Sequence, residues 1–210
     1  MRTVGLPHAL ATRDNAVLRP RDTAPAFGAN PWAEVRRLVD NGLLLPVAPG
    51  YYVIVPRQRV GQAWTPDVNA VALGIAQADY GVDNVALTNV SAARHHGAIP
   101  RAIAAAAVAV PRQRPAITVG RATVYFAKRT VGRLDVERVR TDITTGWVTT
   151  REQTMLDLAA RPAWGGLDVT QSEEAIRALG GRADWDLAVS LAQRQNKVAA
   201  LTTARRVVGE

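Results

Sequence analysis

Apolar residues recur along this chain at two different spacings, which divides it into predicted helices and strands. Three- and four-residue spacing predicts helices at 31–41, 67–80, 88–97 and 150–160, with three more at 170–179, 184–195 and 197–208. Short apolar runs predict strands at 43–47, 51–55, 85–87, 104–110, 117–119, 123–127, 136–139 and 147–149. The pattern therefore predicts a mixed α/β protein that ends in a helical bundle.

The segment from Asn30 to Val55 combines several independent local signals. Asn30 is a favourable N-cap, Pro31 suits the first turn of a helix, and Gly42 suits a left-handed exit from it. Two strands then follow around the turn at residues 48–50. A short helix followed by a β-hairpin is the outline of a winged helix-turn-helix, which places its second helix in the DNA major groove. The same pattern also fits any small αββ unit with solvated arginines.

The arginines around this segment are the candidate DNA contacts. Val35, Leu38 and Val39 share one face of the predicted helix, so Arg36 and Arg37 point away from the core. Upstream, the pattern predicts a helix over 6–17 and the start of another at 19–24. The predicted DNA contacts lie on these helices, on the hairpin and on the basic segment after the hairpin. The predicted DNA-binding residues are Arg19, Arg21, Arg36, Arg37, Tyr52, Arg57 and Arg59.

Composition narrows the possible class of protein. The hydrophobic fraction of 48% is typical of a folded globular chain, and the absence of cysteine excludes disulfides and thiolate metal sites. The longest apolar run, at 102–110, is too short to cross a bilayer, so we expect a cytoplasmic protein.

The net charge of +8 is concentrated in two parts of the chain. Residues 1–60 carry +4, and residues 101–140 carry +7, with only Asp135 and Glu137 opposing nine cationic side chains. The second zone predicts a surface for an acidic partner or a nucleic acid, although solubilising arginines explain either zone equally simply. The predicted partner-binding residues are Arg112, Arg114, Arg121, Lys128 and Arg129.

Three stretches in order resemble one known family. The first is LVDNG (38–42) followed by GYY (50–52). The other two are TNVSAARHHGA (88–98) and VTTREQTMLDL (148–158). The set is similar to the AbiEi-type antitoxins, and the resemblance covers nearly the whole chain. It implies an antitoxin that neutralises a cognate nucleotidyltransferase toxin and represses its own operon by binding promoter DNA. The chain departs from the family pattern at Asn89, where the family often has His, and at Gln153, where it often has Arg.

The sequence contains no motif for a catalytic or cofactor site. It lacks a glycine-rich phosphate loop and an HExxH motif, and a nucleophile set would have to combine Ser91 and His95 on one helical turn. His95 and His96 are adjacent, so on a helix they point about 100° apart and would not bind one metal ion together. We expect Thr88 and Ser91 to cap a helix and Asp157 to hold a neighbouring backbone group or arginine. We therefore predict no enzyme, no metal and no cofactor.

These observations lead to a two-domain prediction. Residues 1–62 form a winged helix-turn-helix that binds operator DNA, and residues 63–210 form an α/β domain that binds the toxin. We expect a monomer or a weak dimer. Two alternatives remain open: a stand-alone winged-helix regulator with a ligand-sensing second domain, and an enzyme that modifies the toxin.

Overall fold

A computed structural model describes residues 5–23, 30–100 and 103–210 of the chain. It is a mixed α/β protein, as the sequence predicts, and the described residues form eight α-helices and two β-sheets. None of the helices in these residues is long and apolar enough to cross a membrane.

The N-terminal elements build a small sheet with a helix beside it. In chain order they are α1 (His8–Ala11), β1 (Val17–Leu18), a 3₁₀ turn (Pro20–Thr23), α2 (Pro31–Asp40), β2 (Leu44–Ala48) and β3 (Tyr51–Ile54). The strand order is β1-β3-β2, with both pairs antiparallel. The predicted caps of α2 are confirmed, because the Asn30 side chain accepts a hydrogen bond from the Ala33 amide at 3.3 Å and Gly42 has a φ of 67°.

The predicted helix over 6–17 is wrong, since helical structure in this segment covers only His8–Ala11. The Asn15 side chain accepts a hydrogen bond from the Val17 amide at 2.9 Å, a local turn that competes with a helix. Val17 then pairs with Val53 as part of β1. The second upstream helix, predicted to start at 19–24, is a 3₁₀ turn over Pro20–Thr23. Residues 24–29 lie outside the described residues. The helix-turn-helix therefore stays a prediction.

The second sheet contains six strands in the order β6-β7-β5-β4-β9-β8. They are β4 (Ala86–Leu87), β5 (Ala105–Val110), β6 (Ile117–Val119), β7 (Ala122–Lys128), β8 (Val136–Arg140) and β9 (Thr145–Thr149). The β5–β7 and β4–β9 pairs are parallel, and the other pairs are antiparallel. Every residue of β5 is buried, which explains its continuous apolar run.

Helices cover both faces of this sheet. They are α3 (Val68–Tyr80), α4 (Asn89–His95), α5 (Arg151–Ala160), α6 (Val169–Gly180), α7 (Trp185–Arg194) and α8 (Val198–Val208). Side chains alternate along β5, so Ala106 and Val108 pack with α3 on one face, whereas Ala105 and Ala107 pack with α4–α8 on the other.

The small sheet shares its core with the larger one. Val17 and Val53 are fully buried in the same apolar cluster as Leu73 and Ile75 of α3. Gly74 makes this approach possible, because a Cβ there would overlap a methyl group of Val17. The domain boundary expected near residue 62 stays a prediction, and the apolar contact extends across it.

Candidate functional site

The outward face of α2 is open to solvent in the described part of the chain. Val35 and Leu38 are buried, whereas Arg36 and Arg37 are exposed, as the periodicity predicts. Trp32 lies one turn before Arg36 and has 61% of its surface exposed. Arg37 forms an ion pair with Glu34 at 2.7 Å, so Arg36 is the more available of the two cations.

Arg19 is bound by two carboxylates, and its role as a DNA contact stays a prediction. Its Nη1 donates to Asp79 at 2.5 Å and its Nη2 to Asp22 at 2.9 Å, with only 16% of the side chain exposed. The two carboxylates offset the charge of this guanidinium and occupy its N–H donors, which disfavours a contact with a phosphate. Arg21, at 71% side-chain exposure and 3.9 Å from both carboxylates, stays available.

The hairpin and the segment after it contribute the remaining predicted contacts. Tyr52 on β3 is half-buried and packs against the small apolar cluster that contains Leu38 and Leu44. Arg57 and Arg59 lie on an exposed 3₁₀ turn directly after β3. Their contact with a phosphate backbone stays a prediction.

The predicted second basic surface is divided by the fold. Arg114 forms an ion pair with Asp79 and stacks 4.3 Å above the ring of Phe126, and Arg129 donates to Asp157 at 3.2 Å. Arg112, Arg121 and Lys128 remain exposed. The charges of Arg114 and Arg129 are therefore offset by carboxylates, whereas the other three cations are open to solvent.

A different set of cations comes together beside the end of β7. Two adjoining cavities, of about 890 and 440 Å³, both contact Lys128, Arg129 and Lys197. We define the cationic groove by the basic side chains lining these cavities, which are Lys128, Arg129, Arg133, Arg161, Arg194 and Lys197. Asp135 and Asp157 are the acidic residues in the two linings, so positive charge predominates.

Asp157 organises the floor of the cationic groove. It forms an ion pair with Lys197, accepts from Thr88 Oγ1 at 3.2 Å and from Gln153 Nε2 at 3.1 Å, and binds Arg129. The expectation that it holds a neighbouring arginine is confirmed. Thr88 and Asp157 belong to the second and third stretches of the antitoxin resemblance, so those stretches meet at this point.

The pKa of Lys197 reflects both its burial and the charges of its neighbours. Burial lowers the pKa of its ammonium group, Asp157 opposes this effect, and the charges of Arg129 and Arg161 lower the pKa further. The excess of positive charge follows from the linings of the two cavities, which contain six cationic side chains and two carboxylates. An anion bound in the groove would be stabilised by this excess charge.

Two asparagines at the edges of the cavities have unusual backbone conformations. Asn89 has a φ of 48° and borders the smaller cavity, and Asn196 has a φ of 54° and borders the larger one. They are the only non-glycine residues with positive φ in the part of the chain that the structure describes. Such conformations cluster at ligand and partner sites, and asparagine tolerates them better than most residues.

Four cations of the groove were not predicted as site residues: Arg133, Arg161, Arg194 and Lys197. Arg161, Arg194 and Lys197 come from a segment with a net charge of −1, so local charge density does not indicate them. The turn between α7 and α8 and the end of α5 bring these side chains to β7. Only the packing of the helical bundle on the sheet places them together.

The Ser91 hydroxyl forms hydrogen bonds with groups other than His95. Ser91 is buried, donates to Asn69 Oδ1 at 2.7 Å and accepts from the Ala107 amide at 2.8 Å, so its hydroxyl joins α4 to α3 and β5. His95 and His96 each place a ring nitrogen near the same Glu137 oxygen, at 3.7 and 4.0 Å, although helical spacing points the two residues about 100° apart.

No protein-family model matches the chain, and no curated protein matches it either. The resemblance to the AbiEi-type antitoxins therefore stays a prediction. The argument for function comes from the exposed face of α2 and the cationic groove.

Proposed function

We propose that the protein is a DNA-binding transcriptional regulator and antitoxin of the AbiEi type, acting in the cytoplasm. The observation that carries the DNA-binding half is the exposed face of α2, followed at once by the hairpin β2–β3. The family assignment and the toxin partner rest on the three sequence stretches that resemble those antitoxins.

The geometry of α2 suits insertion into the major groove. Its ten residues span about 15 Å, and the buried pair Val35 and Leu38 fixes which face is presented. Arg36 and Arg37 on the opposite face are the side-chain type most used to read guanine edges. Trp32 adds a large apolar surface without a partner among the described residues, which suits contact with a sugar or a thymine methyl group.

The cationic groove supports the proposed binding of a nucleotidyltransferase toxin. A nucleotidyltransferase needs carboxylates to hold its metal ions, so its cleft presents an acidic surface. A groove with six cations against two carboxylates is complementary to such a surface. Because the groove and the outward face of α2 use different residues, DNA binding and toxin neutralisation are expected to be separable by substitution.

One experiment tests the DNA-binding half directly. The double variant Arg36→Ala plus Arg37→Ala should lose specific binding to the promoter of its own operon in a mobility-shift assay, since a lost bidentate base contact costs about 1–3 kcal/mol. The matched control is Arg205→Ala plus Arg206→Ala, which removes two exposed arginines from α8. Circular dichroism and thermal melting should show that both variants fold. Unchanged promoter affinity in the α2 variant would remove this assignment.

A stand-alone regulator that senses a small ligand is the second candidate. The smaller cavity favours it, because about 440 Å³ lies within the usual range for ligand sites and Trp164 and Lys197 line it together. The neighbouring gene separates the two candidates. An adjacent nucleotidyltransferase reading frame whose product is neutralised on co-expression supports the antitoxin, and a lone regulator gene supports the sensor.

A further inference from the structure

A cluster of three metal-ligating side chains lies away from both the α2 face and the cationic groove. His95, His96 and Glu137 each place one ligand atom so that all three atoms lie within 4.8 Å of one another. His95 Nε2 is 3.7 Å from Glu137 Oε1, and His96 Nδ1 is 4.0 Å from the same oxygen. The cluster thus has one carboxylate oxygen facing two imidazole nitrogens.

Local backbone geometry produces this arrangement. His95 is the last residue of α4, and His96 follows with φ −79° and ψ 4° before Gly97 turns left-handed at φ 72°. The His96 amide still donates to the Ala92 carbonyl at 2.9 Å, so the position of this turn is fixed. The two rings meet edge to face, with centroids 5.1 Å apart.

The second ring nitrogen of His96 is already occupied by a hydrogen bond. Nε2 lies 2.8 Å from the backbone carbonyl of Thr149, and a carbonyl only accepts, so Nε2 carries the proton. In the neutral ring Nδ1 then has a free lone pair, on the side that faces Glu137. A histidine that donates one N–H to a carbonyl and turns its other nitrogen inward has the usual arrangement of a metal ligand.

We propose that His95, His96 and Glu137 form a binding site for a divalent transition-metal ion, with zinc as the best match. Two imidazoles and one carboxylate are a ligand set that zinc uses, with further coordination positions left open. Ligands of a tetrahedral zinc lie about 3.4 Å apart, so the observed nitrogen–oxygen separations need to contract by roughly half an ångström. The side chains of His95 and Glu137 are 36% and 50% exposed, so we expect rotation of these two side chains to provide this change.

Two features of the fold bear on how this site would bind a metal ion. Glu137 lies on the edge strand β8 with 50% of its side chain exposed, so an open coordination position faces solvent. The metal would also connect α4 to the β8–β9 pair, since Glu137 is paired with Val148 and His96 is bonded to Thr149. The proposal is independent of the function proposed above.

The test is a zinc titration of the full chain, with any affinity tag removed and after treatment with a chelator. Isothermal titration calorimetry should give one zinc ion per chain. Glu137→Gln and His95→Ala should each weaken binding at least about tenfold, since even losing a partner of a ligand costs 10- to 100-fold. Glu137→Gln is the preferred variant because its side chain is exposed, whereas the His96 side chain is 7% exposed and contributes to packing.

The control is His8→Ala, which removes the third histidine of the chain and should leave zinc affinity unchanged. Cobalt(II) provides a second readout, because coordination by these ligands should produce visible absorption that is lost in Glu137→Gln. The proposal is overturned if zinc shows no saturable binding, or if binding survives unchanged in both Glu137→Gln and His95→Ala.

Discussion

The hydroxyl of Tyr51 donates a hydrogen bond to Asp79 Oδ2 at 2.6 Å, joining the N-terminal hairpin to helix α3. Arg19 and Arg114 bind the same carboxylate from two other directions. Asp79 thus connects β3, the segment after β1 and the loop before β6. This contact and the shared apolar cluster hold the small sheet against the larger one.

Removing the charge of Asp79 should destabilise the protein. Asp79→Asn keeps the size of the side chain but leaves Arg114 without its carboxylate and Arg19 with Asp22 alone. This should lower the free energy of unfolding by about 1–3 kcal/mol. Urea unfolding with an unchanged m-value measures the effect. Asp142→Asn, at an exposed position, is the matched control and should change stability little.

The same carboxylate predicts part of the acid sensitivity. Burial alone would raise the pKa of Asp79, but hydrogen bonds from Tyr51 and Arg19 and the charge of Arg114 hold it below the ordinary value of 3.8. A depressed pKa stabilises the fold above the unfolded-state pKa, and this contribution is lost as the pH falls below 3.8 toward the folded-state value. Asp79→Asn should lose less stability than the wild type across that window. Parallel losses in the two proteins would show that Asp79 does not contribute.

Gly74→Ala tests the packing of β1 on α3. A Cβ at this position meets the Val17 side chain and, at 2.9 Å, the Asn15 side-chain oxygen. Overpacking costs about 1–3 kcal/mol, and the better helix propensity of alanine returns about 1 kcal/mol, so we expect net destabilisation. Gly132→Ala has open space around it and serves as control. Adding Val17→Ala should recover part of the loss, and a strictly additive double mutant would contradict direct contact.

Arg57 and Arg59 should bind DNA without reading its sequence. If they contact phosphates, Arg57→Ala plus Arg59→Ala should weaken binding to all sequences about equally. It should also lower the slope of log K against log salt by about 0.9 per lost contact. Fluorescence anisotropy across a salt series measures both quantities. A changed sequence preference with an unchanged salt slope would instead assign these arginines to base contacts.

The cationic groove should be required for toxin neutralisation and dispensable for DNA binding. Lys128, Arg133 and Arg194 are exposed in the groove and form no ion pair within the described residues, so reversing them to Glu removes charge without opening the core. This triple variant should fail to protect cells in a co-expression growth assay while keeping promoter affinity within a few-fold. Arg129 and Lys197 are unsuitable targets, because their loss would leave the buried Asp157 without its ion pairs.

The control for this assay reverses Arg140, Arg205 and Arg206, which are exposed and lie outside the groove. It should still protect. If the groove variant rescues growth, the assignment fails. If it loses rescue and DNA binding together, the basic surfaces act as one nucleic-acid footprint.

Local patterns in the sequence were sufficient to predict most of the elements. The cap and glycine exit of α2, the turn at Gly50 and the buried strand β5 each depend on residues within a few positions of one another. Hydrophobic periodicity also determined which face of α2 is buried. These features are local consequences of backbone conformation and side-chain alternation. They can therefore be predicted from the sequence without knowledge of the fold.

Tertiary packing decided which charged residues act together. Arg19 and Arg114 look like surface cations in the sequence, but Asp79 binds both because α3 lies between their segments. Lys197 and Arg129 are 68 positions apart and meet only because α8 packs next to α5. Charge–charge interactions act through space over several ångströms, and no local sequence pattern encodes distances between side chains on different elements.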